Sequence, residues 1–277
     1  MKNKKLLVLE AVLSFLIKKK RVFQNDLPTQ APTAETAEQF WKVVLEKQCH
    51  TIVMLNKCKG DGKPRDTEGA EGAGEDGAEA EGAEAGDEEP QYFKYWPDVE
   101  GHNSYENIAV MLNTEVANGN IMTRKLKVTT NNANNPGAGS RRCEVNHFQF
   151  TDWPSGDVPE ERVMPNVCTL MQAVEKSQHN LGNGPILVHS GREYGRSGTF
   201  LAVYNSTERL KVEQLIDVLQ CVRAIRIPQP LAVDNIAQYR FIYNMLRTYL
   251  EGFENYCNYK EYNACRSPFG STSSTSL

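Results

Sequence analysis

Apolar residues recur at helical spacing over 37–48, where Phe40, Trp41, Val43 and Val44 supply one broad face. That rhythm predicts an amphipathic helix. Thr36 with Gln39 three places later has capping-box spacing and predicts a capped start. TIVMLN (51–56) is a short, mostly apolar run, the pattern of a strand buried in a central sheet. Beyond QYFKYWP, LKVTT (126–130) and EVNHFQF (144–150) predict strands, separated by the turn-rich NNANNPGAGS. DWPSGDVPE (152–160) has two prolines and a glycine and reads as irregular chain. Residues 167–178 predict a helix and PILVHS a buried strand, followed by helices over 199–210, 212–225 and 235–253. Strands and helices interleave, so the expected fold is α/β (α+β), with a central mixed, twisted sheet flanked by helices.

Three stretches break the pattern. Residues 59–90 are dominated by Gly, Ala, Glu and Asp, with no aromatic or β-branched residue after Thr67. Such a segment cannot offset its ordering entropy and is expected to be a solvated loop inserted in the domain, with an acidic interaction tag as the alternative. Residues 1–22 place an apolar run between lysines. Glu10 interrupts the run and four basic residues, Lys18 to Arg21, follow it. No small-residue cleavage site is present and the run is too short to span a bilayer. A basic helix that packs on the domain or weakly touches an anionic surface is expected. Residues 254–277, ending in GSTSSTSL, are expected to fray.

Charge sharpens this division. The chain carries a net -4, yet eleven acids and no base lie between Asp66 and Glu89, so the remainder stands at +7. A mildly basic folded part suits an anionic ligand. The long acidic insertion disfavours nucleic acid, and the aromatics follow core-like spacing rather than an exposed stacking stripe. Seven cysteines are spread widely without a CxxC pair, and the five histidines do not cluster. Reduced, buried thiols are expected rather than disulfides or zinc, in a cytoplasmic chain, with secretion or membrane association as the lesser alternative.

HSGREYGRSG (189–198) directly follows the strand PILV. Glycines at a strand-to-helix turn let backbone amides converge on an anion, and the following helix offers its positive end. Gly195, Arg196, Ser197 and Gly198 fit the closing half of such a cradle, with the guanidinium supplying bidentate oxygen contact. A tight turn with solvent-facing arginines is the alternative.

The order of elements and the local wording resemble the tyrosine-specific protein phosphatase domain. The resemblance rests on TQAPTAETAEQFW (29–41), TIVMLN (51–56), KYWP (94–97), HFQFTDWP (147–154), GPILVHS (184–190), GRSGTF (195–200) and QYRFIY (238–243). It covers residues 23–250, or a domain of 23–253. No stretch matches the family's phosphotyrosine recognition loop, so the domain is expected to lack its N-terminal elements.

The resemblance implies a cysteine nucleophile, an aspartate acid on a mobile Trp-Pro-Asp loop, and glutamines that position water. In this chain the nucleophile position is Ser190, beside a retained His189. The acid falls on Ser155, after Trp153 and Pro154. The main water-positioning glutamine falls on Asp234 and its threonine neighbour on Asn235, while Gln238 is kept. Arg196, with Gly195, Ser197 and Gly198, is kept for phosphate, and Glu193 replaces a glycine. A serine hydroxyl retains its proton where a thiolate would form. The resemblance gives His189 the task of organising the loop, so it is not expected to act as the serine's base. Asp152 precedes the tryptophan and Asp157 comes two places late, so neither is expected to replace the acid. Turned inward, Glu193 would pair with Arg196 or Arg192 and fill the cradle; turned outward, it would leave phosphotyrosine bound but not hydrolysed.

The expectation is therefore a catalytically inactive phosphatase-like module, a pseudophosphatase, that binds or regulates. Its expected partner is a phosphotyrosine-containing protein or another protein of a phosphatase or kinase pathway. No cofactor, metal or nucleic acid is implied. The alternatives are a residual or active phosphotyrosine hydrolase and an inert scaffold.

Overall fold

The computed structural model describes residues 27–58, 92–98, 101–130, 141–182, 184–191 and 194–265. The N-terminal segment 1–22, the acidic stretch 59–90, Arg192, Glu193 and the last twelve residues lie outside the described residues. Seven strands form one sheet: β1 (Leu27–Thr29), β2 (Thr51–Met54), β3 (His102–Tyr105), β4 (Ile108–Asn118), β5 (Ile121–Thr130), β6 (Arg142–Phe150) and β7 (Ile186–His189). Their order is β1-β7-β2-β6-β5-β4-β3. The first four run parallel and β6 to β3 antiparallel, so the sheet is mixed as expected. Helices α1 (Ala37–Lys47), α2 (Met164–Leu181), α3 (Gly195–Glu213), α4 (Val218–Arg226) and α5 (Ile236–Cys265) cover it.

Alternation along the strands builds two cores. On β2, Ile52 and Met54 face α1, where Phe40, Trp41, Val44 and Leu45 meet them. Val53 and Leu55 face the opposite way, into the larger core of α2 to α5. Phe148 and Phe150 join that second core, while Cys143 and Val145 on the same strand join the first. A sheet buried on both faces shows near-continuous burial along β2 and β7, as its apolar runs implied.

The differences from expectation have local causes. Thr36 does not cap α1; its hydroxyl accepts from Thr33 N at 2.8 Å instead. Strand β4 carries no apolar signature beyond Leu112, because its outer half is solvent-exposed, and β3 alternates between exposed and half-buried positions. Both went unpredicted. The helix expected over 212–225 is two: Gln214 ends α3 in the left-handed region, and Asp217 caps α4 by accepting from Gln220 N at 3.0 Å. Helix α5 continues to Cys265, through the first half of the expected tail.

Phe148 sits on a central strand and is 4 % exposed. Phe148→Ala should lower the unfolding free energy by about 3–5 kcal/mol, read from the shift in denaturant midpoint at unchanged slope.

Candidate active site

Strands β1, β7, β2 and β6 all present their carboxyl ends at one edge, the place where parallel sheets bind ligands. The loop 190–194 leaves β7 at that edge and enters α3. Ser190 is 1 % exposed and Arg196 5 % exposed. The helix begins at Gly195, four residues before the sequence pattern suggested, and is buried on every side through Thr207. Its glycines serve close approach rather than a turn. A Cβ on Gly195 would stand 2.5 Å from Gln238 Nε2 and 3.0 Å from Asp234 Oδ1. One on Gly198 would stand 2.6 Å from the Ala232 Cβ. The segment 232–238 is thus pressed directly onto the first turn of α3.

Arg196 reaches across the site and its Nη1 donates to Trp153 O at 3.0 Å. Trp153 packs on Phe241 and its indole donates to Asp157 O at 3.2 Å. The loop 152–158 is therefore anchored at its tryptophan, while Ser155 at its tip is exposed. Asp152 accepts from Asn120 Nδ2 at 3.2 Å, and the Asp157 carboxylate accepts from Val158 N at 2.8 Å. Gln238 Oε1 accepts from Asp234 N at 3.1 Å and lies 3.2 Å from the Thr199 hydroxyl. The Ser197 hydroxyl reaches Tyr194 O at 3.4 Å. Arg196, Gly195, Ser197, Gly198, Asp234 and Gln238 thus stand together at the head of α3.

Beneath the loop runs a buried chain that the sequence pattern did not assign. Tyr95 Oη lies 2.7 Å from His147 Nε2 and 2.6 Å from His189 Nε2. Arg124 Nη1 faces His147 Nδ1 at 3.4 Å, and His189 Nδ1 faces Ser190 O at 3.5 Å. Guanidinium only donates, so His147 Nδ1 accepts and its Nε2–H donates to Tyr95. The single phenolic proton then goes to His189 Nε2, which leaves the Nδ1 proton of His189 for the Ser190 carbonyl. One direction of donation satisfies every member. Both nitrogens of His189 are engaged away from the Ser190 hydroxyl, so it is no base for that hydroxyl. Burial holds His147 well below the usual histidine range, helped by the Arg124 charge, and lowers His189 to about 4. Arg124 is itself held by Glu115, by Gln149 Oε1 at 2.8 Å, and by the face of Trp96. The available signal was a tyrosine and two histidines inside the apolar runs KYWP, HFQF and PILVHS.

Among the described residues no group of three or more His, Cys, Asp and Glu is arranged to hold a metal ion. No helix of the described residues is long and apolar enough to cross a membrane.

A sequence model of the protein-tyrosine phosphatase family matches residues 16–68 and 82–248. The chain is 32% identical over 234 residues to the receptor-type tyrosine-protein phosphatase epsilon of Homo sapiens, covering 84% of this chain and 29% of that protein. It is 30% identical to the receptor-type tyrosine-protein phosphatase alpha of Homo sapiens, over 84% of this chain and 25% of that one. To the tyrosine-protein phosphatase Lar of Drosophila melanogaster it is likewise 30% identical, over 84% and 10%. The chain thus spans under a third of the length of these relatives.

The family model's match begins at residue 16, seven residues before the expected start of the domain. The relatives named above are phosphatases, and none of the three is named as an inactive one, so the retired catalyst, the pseudophosphatase and the expected lack of enzyme activity are withdrawn. The core also keeps a buried cysteine, Cys143, on the sheet face that carries His147 and, on the next strand, Arg124. That cysteine is not at the loop. His189 is level with Met54 and Gln149 across the sheet, and Cys143 lies six residues earlier on β6. At about 3.3 Å per residue this is roughly 20 Å away. Its sulfur contacts His50 Nδ1 at 3.5 Å and Cys49 O at 3.7 Å, and burial pushes the thiol up to about 11, with the Glu144 charge adding to it.

Two outcomes follow from this geometry. His189 stays neutral in the fold to about pH 4 but protonates near 6.5 once unfolded, so the unfolded state binds the extra proton between those values. Stability should be full above about pH 6.5 and fall by about 3 kcal/mol on the way to pH 4, with a shallower fall in His189→Gln, read by denaturant titration at each pH. Gly198→Ala should cost about 1–3 kcal/mol, because the Ala232 backbone at 3.0 Å must move to admit the methyl, and a thermal melt reads it.

Proposed function

Because the chain belongs to the protein-tyrosine phosphatase family, we propose that its β7–α3 loop takes aryl phosphate monoesters of the phosphotyrosine type and hydrolyses them at a residual rate. The observation that carries this reading is the buried Arg196 in the first turn of α3. A guanidinium held by Trp153 O beside a helix N-terminus is a preorganised clamp for phosphate oxygens. Supporting it, the loop backbone at Ser190 is held from below by His189 and Tyr95. The nucleophile at this loop is an oxygen, since Cys143 stands on a distant rung with its thiol protonated at neutral pH. Without a thiolate or the expected aspartate, turnover is slow; loss of one general acid alone removes about 10²–10⁴-fold.

On this reading the partner is a phosphotyrosine-containing protein, the N-terminal basic segment makes at most a weak contact with an anionic surface, and the compartment is cytoplasmic. That no disulfide joins the cysteines among the described residues supports a reducing compartment.

The purified chain should release phosphate from 4-nitrophenyl phosphate and from a phosphotyrosine peptide faster than buffer alone. Arg196→Ala should reduce that release by about 10²-fold or more, while Cys143→Ala should leave it unchanged. No release above buffer, or an undiminished rate in Arg196→Ala, overturns the reading. Loss of turnover in a folded Cys143→Ala protein would instead overturn the oxygen nucleophile.

A further inference from the structure

Far from the loop, α3 ends at an apolar surface that no described residue covers. Val212 in its last turn, Leu215 and Ile216 in the turn that follows, and Leu219 at the start of α4 are 40–74 % exposed. Ile216 leans over α5, where Tyr243, Leu246, Arg247 and Leu250 recur at helical spacing and line with it a groove of about 360 Å³. The charges at the rim are paired: Arg247 with Glu161 at 3.6 Å and with Glu251 at 3.7 Å, and Arg209 with Glu213 at 2.9 Å. What the groove offers is apolar contact, and a contiguous exposed apolar patch of this kind marks an interaction site.

The place where the chain enters the fold points to the occupant. Strand β1 pairs in parallel with β7, Leu27 opposite Leu187 and Thr29 opposite His189. Helix α3 follows β7, packs back on β1 and β7, and so runs against their direction for about 28 Å. The chain upstream of Leu27 therefore leaves the sheet on the side where α3 ends. Residues 6–17 of that chain, outside the described residues, are apolar at every position except Glu10 and Ser14. Those two are four apart and make one narrow polar face at helical spacing, while Val8, Val12 and Phe15 recur at i, i+4 and i+7 on the opposite face. The ten-residue step from Ile17 to Leu27 reaches at most about 33–36 Å, more than the length of α3.

We propose that residues 6–17 dock as an amphipathic helix in the groove between Ile216 and α5, with Val8, Val12 and Phe15 inward and Glu10 and Ser14 in solvent. A helix laid by its apolar face into a groove is a recurring mode of recognition. The tether favours this segment over a second molecule, since it holds the segment at an effective concentration of about millimolar order. Lys18 to Arg21 then lie in the connection to β1, outside the groove. The docking does not depend on how the β7–α3 loop handles phosphate.

The test is amide hydrogen exchange of the full chain, read by mass spectrometry in the wild type, Ile216→Asp, Val12→Asp and Ser14→Asp. Residues 6–17 should exchange about 10-fold or more slowly in the wild type and Ser14→Asp than in Ile216→Asp and Val12→Asp. The amides of 212–219 should also exchange faster in Val12→Asp, a variant outside the folded core that keeps the test open if Ile216→Asp does not fold. Equal exchange of 6–17 in the wild type and the folded variants overturns the inference. Protection that grows with protein concentration, with a doubled mass in light scattering, assigns the groove to a second copy and overturns it. So does protection of 6–17 that requires phosphatidylserine vesicles, which assigns the segment to a lipid surface.

Discussion

A phenol has one proton to give, and at Tyr95 two imidazoles ask for it. Because Arg124 can only donate, the request is settled in one direction, from Arg124 through His147 and Tyr95 to His189 and the Ser190 carbonyl. Every member is buried, and a reversed hydrogen bond would leave one of them without a partner in low dielectric, at a cost of about 1–3 kcal/mol. This constraint ties three separate strands and the 92–98 segment to the loop after β7. It also adds to burial, which keeps the two histidines neutral: a proton added to either would put a donor against a donor in the core.

The loop's upper boundary is set by packing instead. Helix α3 is buried on all sides at its start, so nothing larger than hydrogen fits where it meets Ala232 and the Asp234–Gln238 segment. Close approach brings Gln238 and Asp234 to the helix head, and Arg196 then spans the gap to Trp153. Directional hydrogen bonds below and steric exclusion above position the end of β7 and the head of α3.

Membership in a phosphatase family and the residues at the loop describe different things. The match says how the backbone came to this shape, and the residues say what chemistry the shape carries. Here the head of α3 carries a guanidinium, with the Asp234 carboxylate beside it. The buried cysteine on β6 belongs to the core behind α1, where its neighbours are Cys49 and His50 rather than the β7–α3 loop.

Much of this was legible along the chain. Period-two and period-3.6 patterns identified α1, β2, β6, β7 and the helices after the loop, because each buries a continuous apolar face. Strand β3 was silent, since an exposed edge strand pairs through backbone groups that any side chain shares, and β4 carries a period-two apolar signal only at Ile108, Val110 and Leu112. The wording around Ser190 and Arg196 pointed to the candidate site at the end of β7. The fate of Asp152, Asp157 and Asp234 did not, because three carboxylates look alike until their neighbours are known. By itself the sequence determined the mixed sheet, the site's loop and the residue types within it, all of which follow from local pattern. Only the tertiary structure decided that Asp234 meets the head of α3, that Tyr95 joins His147 to His189, and that Cys143 lies on a remote rung. Those relations join residues distant along the chain, and strand register and helix packing alone bring them together.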